Sequence, residues 1–356
     1  MYTRTETFCI SKNATTQEAI AKMNEGRLGI VLVVDEDRRL IGTITDGDIR
    51  RAVLAKFPLS HLVTALLEQK TGTEYAKPLY ALAGQTKSEY LKILRQNALS
   101  HLPIINGEKQ VVALLTSDEF MVDSLASIDA VVMAGGRGIR LMPLTGDIPK
   151  PMLPVGEKPL LEIIIHKLRT AGIQKINVTT HHKPEKIKEY FGDGRDFGID
   201  LNYVSEERPL GTAGALGLLE NIQKTTLVIN GDILTDVDFK AMFQFHREHN
   251  ADLTVAVRVC ELEVPFGVVE CQGAQVKAIQ EKPKVSLMVN AGIYLLEPHV
   301  YSYIPAGEQY HMTDLIQHLI SKKINVISFP IHEYWIDIGA HAEYEKAQKE
   351  IERFNF

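Results

Sequence analysis

Apolar positions along this chain come in short blocks rather than long runs. Val31-Leu32-Val33-Val34 is followed by a polar turn and then by Leu40-Ile41-Gly42-Thr43-Ile44-Thr45. Leu102-Pro103-Ile104-Ile105, a turn and Val111-Val112-Ala113-Leu114-Leu115-Thr116 repeat that layout at a constant offset of 71 residues. Upstream, Ile20 and Met23 correspond to Leu91 and Leu94, each pair at helical spacing. Short apolar runs bounded by turns suit strands, and a three-residue spacing suits one helix face. Each copy therefore reads helix, strand, turn, strand, helix. A unit this small cannot close a core alone, so copies at about 1–60 and 61–125 are expected to pack together.

The pattern changes near residue 125, where Ser124-Leu125-Ala126-Ser127-Ile128 has no strong periodicity. Residues 126–356 are read as a second domain. Asp129-Ala130-Val131-Val132-Met133 predicts a buried strand. Leu160, Leu161, Ile164, Ile165 and Leu168 predict a helix that Gly172 ends, and Lys175–Thr180 and Thr226–Ile229 predict further strands. Strands alternating with helices predict a mostly parallel sheet with crossover helices, a Rossmann-like α/β fold preceded by an α+β repeat pair. Phe266–Val269 and Val276–Ile279 flank Gln272-Gly273 and read as a hairpin.

Composition narrows the function. With 45% apolar and 24% charged residues in 356, the chain is neither disordered nor collagen-like. A net charge of −6 lacks the basic excess of a nucleic-acid binder and argues against a membrane surface held by basic residues. Three cysteines without a CxxC pair suit a reducing cytoplasm. No apolar run approaches the ~20 residues of a membrane span, so no membrane partner is expected.

The chemistry concentrates in the second domain. A strand runs into Ala134-Gly135-Gly136-Arg137-Gly138-Ile139-Arg140, and glycines let backbone N–H groups approach anionic oxygens. Leu141 stands where a dinucleotide fingerprint needs its third glycine, and no Walker GK[ST] follows. Asn230-Gly231-Asp232 ends a strand, the position of a metal ligand or of a simple turn. Asp337 lies between Ile336 and Ile338, where an unpartnered carboxylate is costly to bury. Thr212 reads as the N-cap of a helix opening at Ala213. Trp335 reads as core, and His246 and His249 as helix-surface residues. No nucleophile-and-base arrangement stands out.

Gly135-Gly136-x-Gly138-x-Arg140-Leu141-x-Pro143-Leu144-Thr145 together with Pro149-Lys150-Pro151 resembles the signature of the sugar-1-phosphate nucleotidyltransferases, with Ile139 where Thr is usual. Glu207-Arg208-Pro209-Leu210-Gly211-Thr212-Ala213-Gly214 is similar to that family's base-recognition loop. The resemblance implies nucleotide binding by Ala134, Gly135, Gly136, Gly138, Glu207, Pro209, Gly211 and Thr212. It implies catalysis by Arg140, Lys150 and Asp232, and Mg²⁺ held by Asp232 and Asp337. It implies sugar-phosphate binding by Gly267, Glu281, Lys282 and Asn290. The loop is most similar to the guanylyltransferase branch, so GTP and a mannose-, glucosamine- or heptose-type 1-phosphate are expected. Uridylyl, thymidylyl or cytidylyl transfer and a catalytically dead nucleotide sensor stay open. In the first domain, Gly42-Thr43-Ile44-Thr45-Asp46-Gly47-Asp48-Ile49 resembles a CBS domain. That resemblance implies an adenine nucleotide at Thr45, Asp48 and Thr116, with Glu119 departing from the pattern, and association into a homo-oligomer.

Overall fold

The computed structural model describes residues 1–71, 76–97, 99–116 and 124–351. Glu119 and the stretch 117–123 fall outside the described residues. The chain divides into two compact units, Met1–Ser124 and Leu125–Phe356.

In the first unit β1 (Cys9–Ser11) pairs parallel with β2 (Ile30–Val34), which pairs antiparallel with β3 (Leu40–Thr45). The helices are α1 (Thr16–Gly26), α2 (Asp46–Leu54) and α3 (Val63–Gln69). The second copy repeats the sheet with β4 (Ala81–Leu82), β5 (His101–Ile105) and β6 (Val111–Thr116), with α4 (Lys87–Gln96) ahead of β5. Leu32 and Val34 of the first copy share one buried cluster with Ile105, Val111 and Leu114 of the second. Neither copy could bury those side chains by itself, which is why the repeat comes as a pair. Thr15 with Glu18 and Thr45 with Asp48 form reciprocal capping boxes that start α1 and α2.

The second unit is built on a seven-stranded sheet among the described residues. Its strands are β7 (Asp129–Met133), β10 (Lys175–Thr180), β11 (Asp200–Ser205), β12 (Thr226–Asn230), β14 (Leu253–Glu263), β17 (Lys284–Leu296) and β18 (Val326–Ile331). The order is β11-β10-β7-β12-β17-β14-β18, and only β17 runs against its neighbours. Short pairs join β8 (Pro154–Val155) to β9 (Lys158–Pro159), β13 (Ile233–Thr235) to β19 (Trp335–Asp337), and β15 (Val268–Gln272) to β16 (Gln275–Gln280). The helices are α5 (Leu160–Thr170), α6 (Pro184–Phe191), the single turn α7 (Gly211–Gly214), α8 (Phe239–Glu248), α9 (Met312–Ser321) and α10 (His341–Glu350). The apolar stripe of α5, from Leu160 to Leu168, is buried with β7, β10 and β12 in the main core. Among the described residues no helix is long and apolar enough to cross a membrane.

One expectation needs correction, and one of the two readings of Thr212 drops out. His246 is only 1% exposed: its Nδ1 pairs with Thr254 Oγ1 at 2.7 Å and its Nε2 with Glu297 Oε1 at 3.1 Å. The period of α8 was right, but β14 covers that face. Thr212 does not cap its own helix. The N-cap position of α7 is Leu210, and the Thr212 hydroxyl accepts the Met312 N–H that opens α9.

Candidate active site

β7, β10, β11 and β12 are parallel, so their carboxyl ends lie on one edge of the sheet, where open α/β sheets bind ligands. β7 delivers Ala134 to Gly138 there, and β12 delivers Gly231 and Asp232. The Ala134 N–H donates to Thr179 O, and the Gly231 N–H donates to Met133 O. A Cβ on Gly231 would stand 2.8 Å from that same oxygen, so only glycine lets Asp232 follow β12 this closely past β7. Gly138 has φ +61°, and a Cβ there would meet Thr145 Cγ2 at 2.9 Å and Lys150 Cβ at 3.0 Å. The Thr145 hydroxyl donates to Gly138 O. The glycine loop and the Pro149-Lys150-Pro151 turn are thus packed together by the missing side chain.

Lys150 is 8% exposed, and its Nζ sits 2.5 Å from Asp232 Oδ2. Asp337 arrives on β19, where it pairs with Ile233 of β13, the residue after Asp232. The Ile338 N–H donates to Asp232 O. The chain then turns at Gly339, whose Cβ position lies 3.4 Å from Arg140 Nη2 and 3.5 Å from Asp337 Oδ1. Burial, and then the neighbouring Asp232 charge, push the Asp337 carboxyl above its ordinary range, against the pull of Lys150 and Arg140. Two acids separated by 105 residues and two cations therefore share one small volume.

Asp232 Oδ1 and Asp337 Oδ1 are both buried without a hydrogen-bond partner. Paired carboxylates with orphaned oxygens fit a hard divalent cation, which takes oxygen ligands and offsets their repulsion.

In the loop before Gly211, the carboxylate that faces the glycines is not the one that the resemblance picks out. A Cβ on Gly135 would lie 2.7 Å from Glu206 Oε1, so it is Glu206, not the exposed Glu207, that faces the glycine loop. Glu206 Oε2 accepts the Leu210 N–H, its carbonyl pairs with His181 Nδ1, and burial raises its carboxyl pKa. Two adjacent glutamates in a loop give no periodicity that tells them apart. Gly211, at φ +79°, comes so near the segment 310–311 that a Cβ would stand 2.6 Å from Tyr310 O. Pro209 is exposed beside it.

The expected sugar residues fall into two places. Asn290 sits near the sheet: its Nδ2 donates to the Tyr294 hydroxyl, and its Oδ1 accepts the Gly292 N–H. Gly292 in turn packs on Asn230, two residues before Asp232, with its Cβ position 2.6 Å from Asn230 Nδ2. Gly267, Glu281 and Lys282 instead lie on an exposed arm formed by β15, β16 and the ends of β14 and β17. Gly267 and Glu281 are neighbours there, 3.1 Å from Cβ position to Oε2. In the first unit Asp48 is 4% exposed and accepts from Thr45, Arg51 and Lys70, while Thr116 is buried at the end of β6.

Comparison with known proteins agrees with this geometry. Residues 129–353 match the nucleotidyl transferase family model, and residues 2–55 match the CBS domain model. The D-glycero-α-D-manno-heptose 1-phosphate guanylyltransferase of Aneurinibacillus thermoaerophilus is 34% identical over 232 residues, covering 64% of this chain and 100% of the relative. The UTP–glucose-1-phosphate uridylyltransferase of Synechocystis sp. is 34% identical over 239 residues, and the mannose-1-phosphate guanylyltransferase of Mycobacterium tuberculosis is 34% identical over 236. Those matches cover 61% and 64% of this chain, and the chain spans 62% and 65% of those two relatives. A Bacillus anthracis crystal structure assigned as a glucose-1-phosphate thymidylyltransferase, in complex with sucrose, superposes with a TM-score of 0.54 at 27% identity, over 64% of this chain and 97% of that one. With residues 129–353 matched and the whole heptose-type relative aligned, this chain belongs to the nucleotidyl transferase family.

Proposed function

We propose that the protein is a sugar-1-phosphate guanylyltransferase, converting GTP and a sugar 1-phosphate into a GDP-sugar and pyrophosphate. The carrying observation is the convergence of Asp232, Asp337, Lys150 and Arg140 at the carboxyl edge beside the Gly135–Gly138 loop. In this reaction a sugar-phosphate oxygen bonds to the α-phosphorus as the α–β phosphoanhydride bond breaks. The nucleophile is already an anion, so the site has no proton to remove. Its task is to hold two anions in line and neutralise the charge that develops. Lys150 sits where it can move from Asp232 to a phosphate oxygen, and Arg140 where it can take the leaving pyrophosphate. Asp232 and Asp337 are the residues that would hold Mg²⁺, which when bound supplies charge neutralisation at the α-phosphate. Lys282 and Glu281 reach the sugar phosphate in this reading only with the arm folded toward the sheet edge.

Guanine is favoured by the heptose- and mannose-type relatives and by Glu206. An acceptor-only carboxylate beside Gly135 suits the two adjacent donors on guanine's Watson–Crick edge, N1–H and N2–H₂; uracil offers one. The Synechocystis relative keeps UTP as the alternative. Three free cysteines support a cytoplasmic setting. An adenine nucleotide at Thr45 and Asp48 would have to displace Lys70 from Asp48, so any effect of AMP or ATP on rate should vanish in Asp48→Asn.

The decisive experiment is pyrophosphate release for four nucleoside triphosphates against mannose, glucose, glucosamine and heptose 1-phosphates. GTP with one sugar phosphate should dominate, and silence across the matrix would refute the assignment. In the active pair, Lys150→Met should lower kcat by about 10²–10³, or ~2.7–4 kcal/mol, the cost of one lost charge-stabilising donor.

A further inference from the structure

Arg258 and Trp335 belong to none of the residue sets above, yet both bear on Asp337. Arg258 leaves β14 opposite Val289 of β17 and Ile331 of β18. Its Nη1 donates to two carbonyls, Glu333 O at 3.3 Å and Trp335 O at 3.2 Å. The guanidinium also lies 5.8 Å from the centre of the Trp335 ring. The indole Nε1 of Trp335 donates to Ala291 O at 2.8 Å. Ala291 is the residue between Asn290 and Gly292, inside β17 where its register with β14 shifts and Asn290 Oδ1 accepts the Gly292 N–H. Asp337 stands two residues beyond Trp335 on the same short strand.

That strand needs outside support. β19 is three residues long and, among the described residues, pairs only with β13, also three residues. A two-stranded pair of this size is marginal by itself. It nevertheless carries a half-buried carboxylate that is pressed against Asp232. Pairing fixes the register of Asp337, but the tilt of so short a ribbon is soft. Arg258 restrains that freedom from the sheet side: one guanidinium nitrogen bonds the two alternate carbonyls of the segment, and the cation lies over the ring of Trp335.

We propose that Arg258 is the positioning residue for Asp337 toward a divalent cation, and that Trp335 ties that carboxylate to the irregular stretch of β17 that holds Asn290. Metal side and sugar side then form one mechanical unit joined through a single indole. Neither residue touches the reacting atoms. The kinetic part of this inference rests on the nucleotidyl-transfer reading, while the metal-binding part does not.

The test uses the full chain with Mn²⁺ as the probe, its binding read by electron paramagnetic resonance, with Asp337→Asn setting the floor. Arg258→Met is expected to weaken Mn²⁺ about tenfold or more, the usual loss when a ligand's support is removed. Arg258→Lys, which keeps the charge but places it on a flexible stem without the planar group over Trp335, is expected to fall between it and the wild type. Trp335→Phe keeps the ring and loses the N–H, so it should raise the KM for sugar 1-phosphate several-fold while the KM for nucleotide holds. Wild-type Mn²⁺ affinity in Arg258→Met overturns the first half; if that variant does not fold, unchanged affinity in Arg258→Lys does so. An unmoved sugar KM in Trp335→Phe overturns the second. Mn²⁺ binding without turnover of any substrate pair would sink the assigned reaction and leave the Arg258 proposal standing, whereas normal turnover with indifferent Arg258 variants would do the reverse.

Discussion

Asp337 shows why a good site residue is a poor structural one. Its carboxyl is held above its ordinary range first by burial and then by Asp232. The folded chain therefore binds that proton more tightly than the unfolded chain, and stability falls as pH rises from the ordinary aspartate range through the raised value. The folded surroundings therefore disfavour the charged Asp337 carboxylate, and ionising it costs stability. Asp337→Asn should melt higher than wild type in EDTA, gain nothing from added Mg²⁺ and lose nearly all turnover; a lower melting temperature in EDTA would contradict this account. Glu206 carries the specificity argument. If Glu206 faces the guanine edge as proposed, Glu206→Gln replaces one acceptor oxygen by a donor there, so the preference for GTP over ITP, which lacks the N2 amino group, should shrink. Hydrogen bonds to charged groups contribute about 1.5–3 kcal/mol, so the narrowing in kcat/KM should be roughly ten- to a hundredfold. The strand-end carboxylate Asp232 was visible in local sequence only as a metal ligand or a simple turn alike, and Lys150 stood out only through the resemblance of its motif. Glu206, Arg258 and Gly339 stood out in neither way, because each is defined by a neighbour far along the chain.

At the scale of elements, the strands with a continuous apolar run were legible and the shortest ones were not. β7, β10 and β12 each bury three or four consecutive residues, which writes their cores into the sequence. β1, β13 and β19 have three residues each and exist only through remote partners, so no period betrays them. α8 lies between these cases. Its helical spacing was evident, but which face is buried depends on Thr254 of β14 and on Glu297. His246 sits in that contact, and burial lowers its pKa from 6.5 despite the opposing pull of Glu297 and Asp252. Here the unfolded chain binds the proton more readily, so this part of the stability is present above about pH 6.5 and drains away as pH falls through the lowered value. Urea midpoints of the wild type should therefore drop between pH 7.5 and pH 5 by more than those of His246→Gln. Equal drops would assign the acid sensitivity elsewhere.

For the whole molecule, the arm from Val259 to Met288 is the feature that a single copy does not explain. Phe266 is 73% exposed, Ile279 69%, Val276 63% and Leu262 53%, and the ribbon of β15 and β16 has no third strand among the described residues. A lone two-stranded ribbon is marginal in water, and this one spends apolar residues on both faces. Ten large apolar residues on this arm are at least 40% exposed. Contiguous exposed apolar surface of this kind marks a contact site. Closed two-fold pairing of identical copies is the commonest solution, and it presents each arm with a partner of matching area. Sedimentation should show a dimer whose dissociation constant rises steeply in Phe266→Ser/Ile279→Ser. Because Gly267, Glu281 and Lys282 ride on the same arm, the double variant should also raise the KM for sugar 1-phosphate more than that for the nucleotide. A monomeric wild type at micromolar concentration would remove the second copy as the arm's cover, and a dimer indifferent to the double variant would place its interface elsewhere.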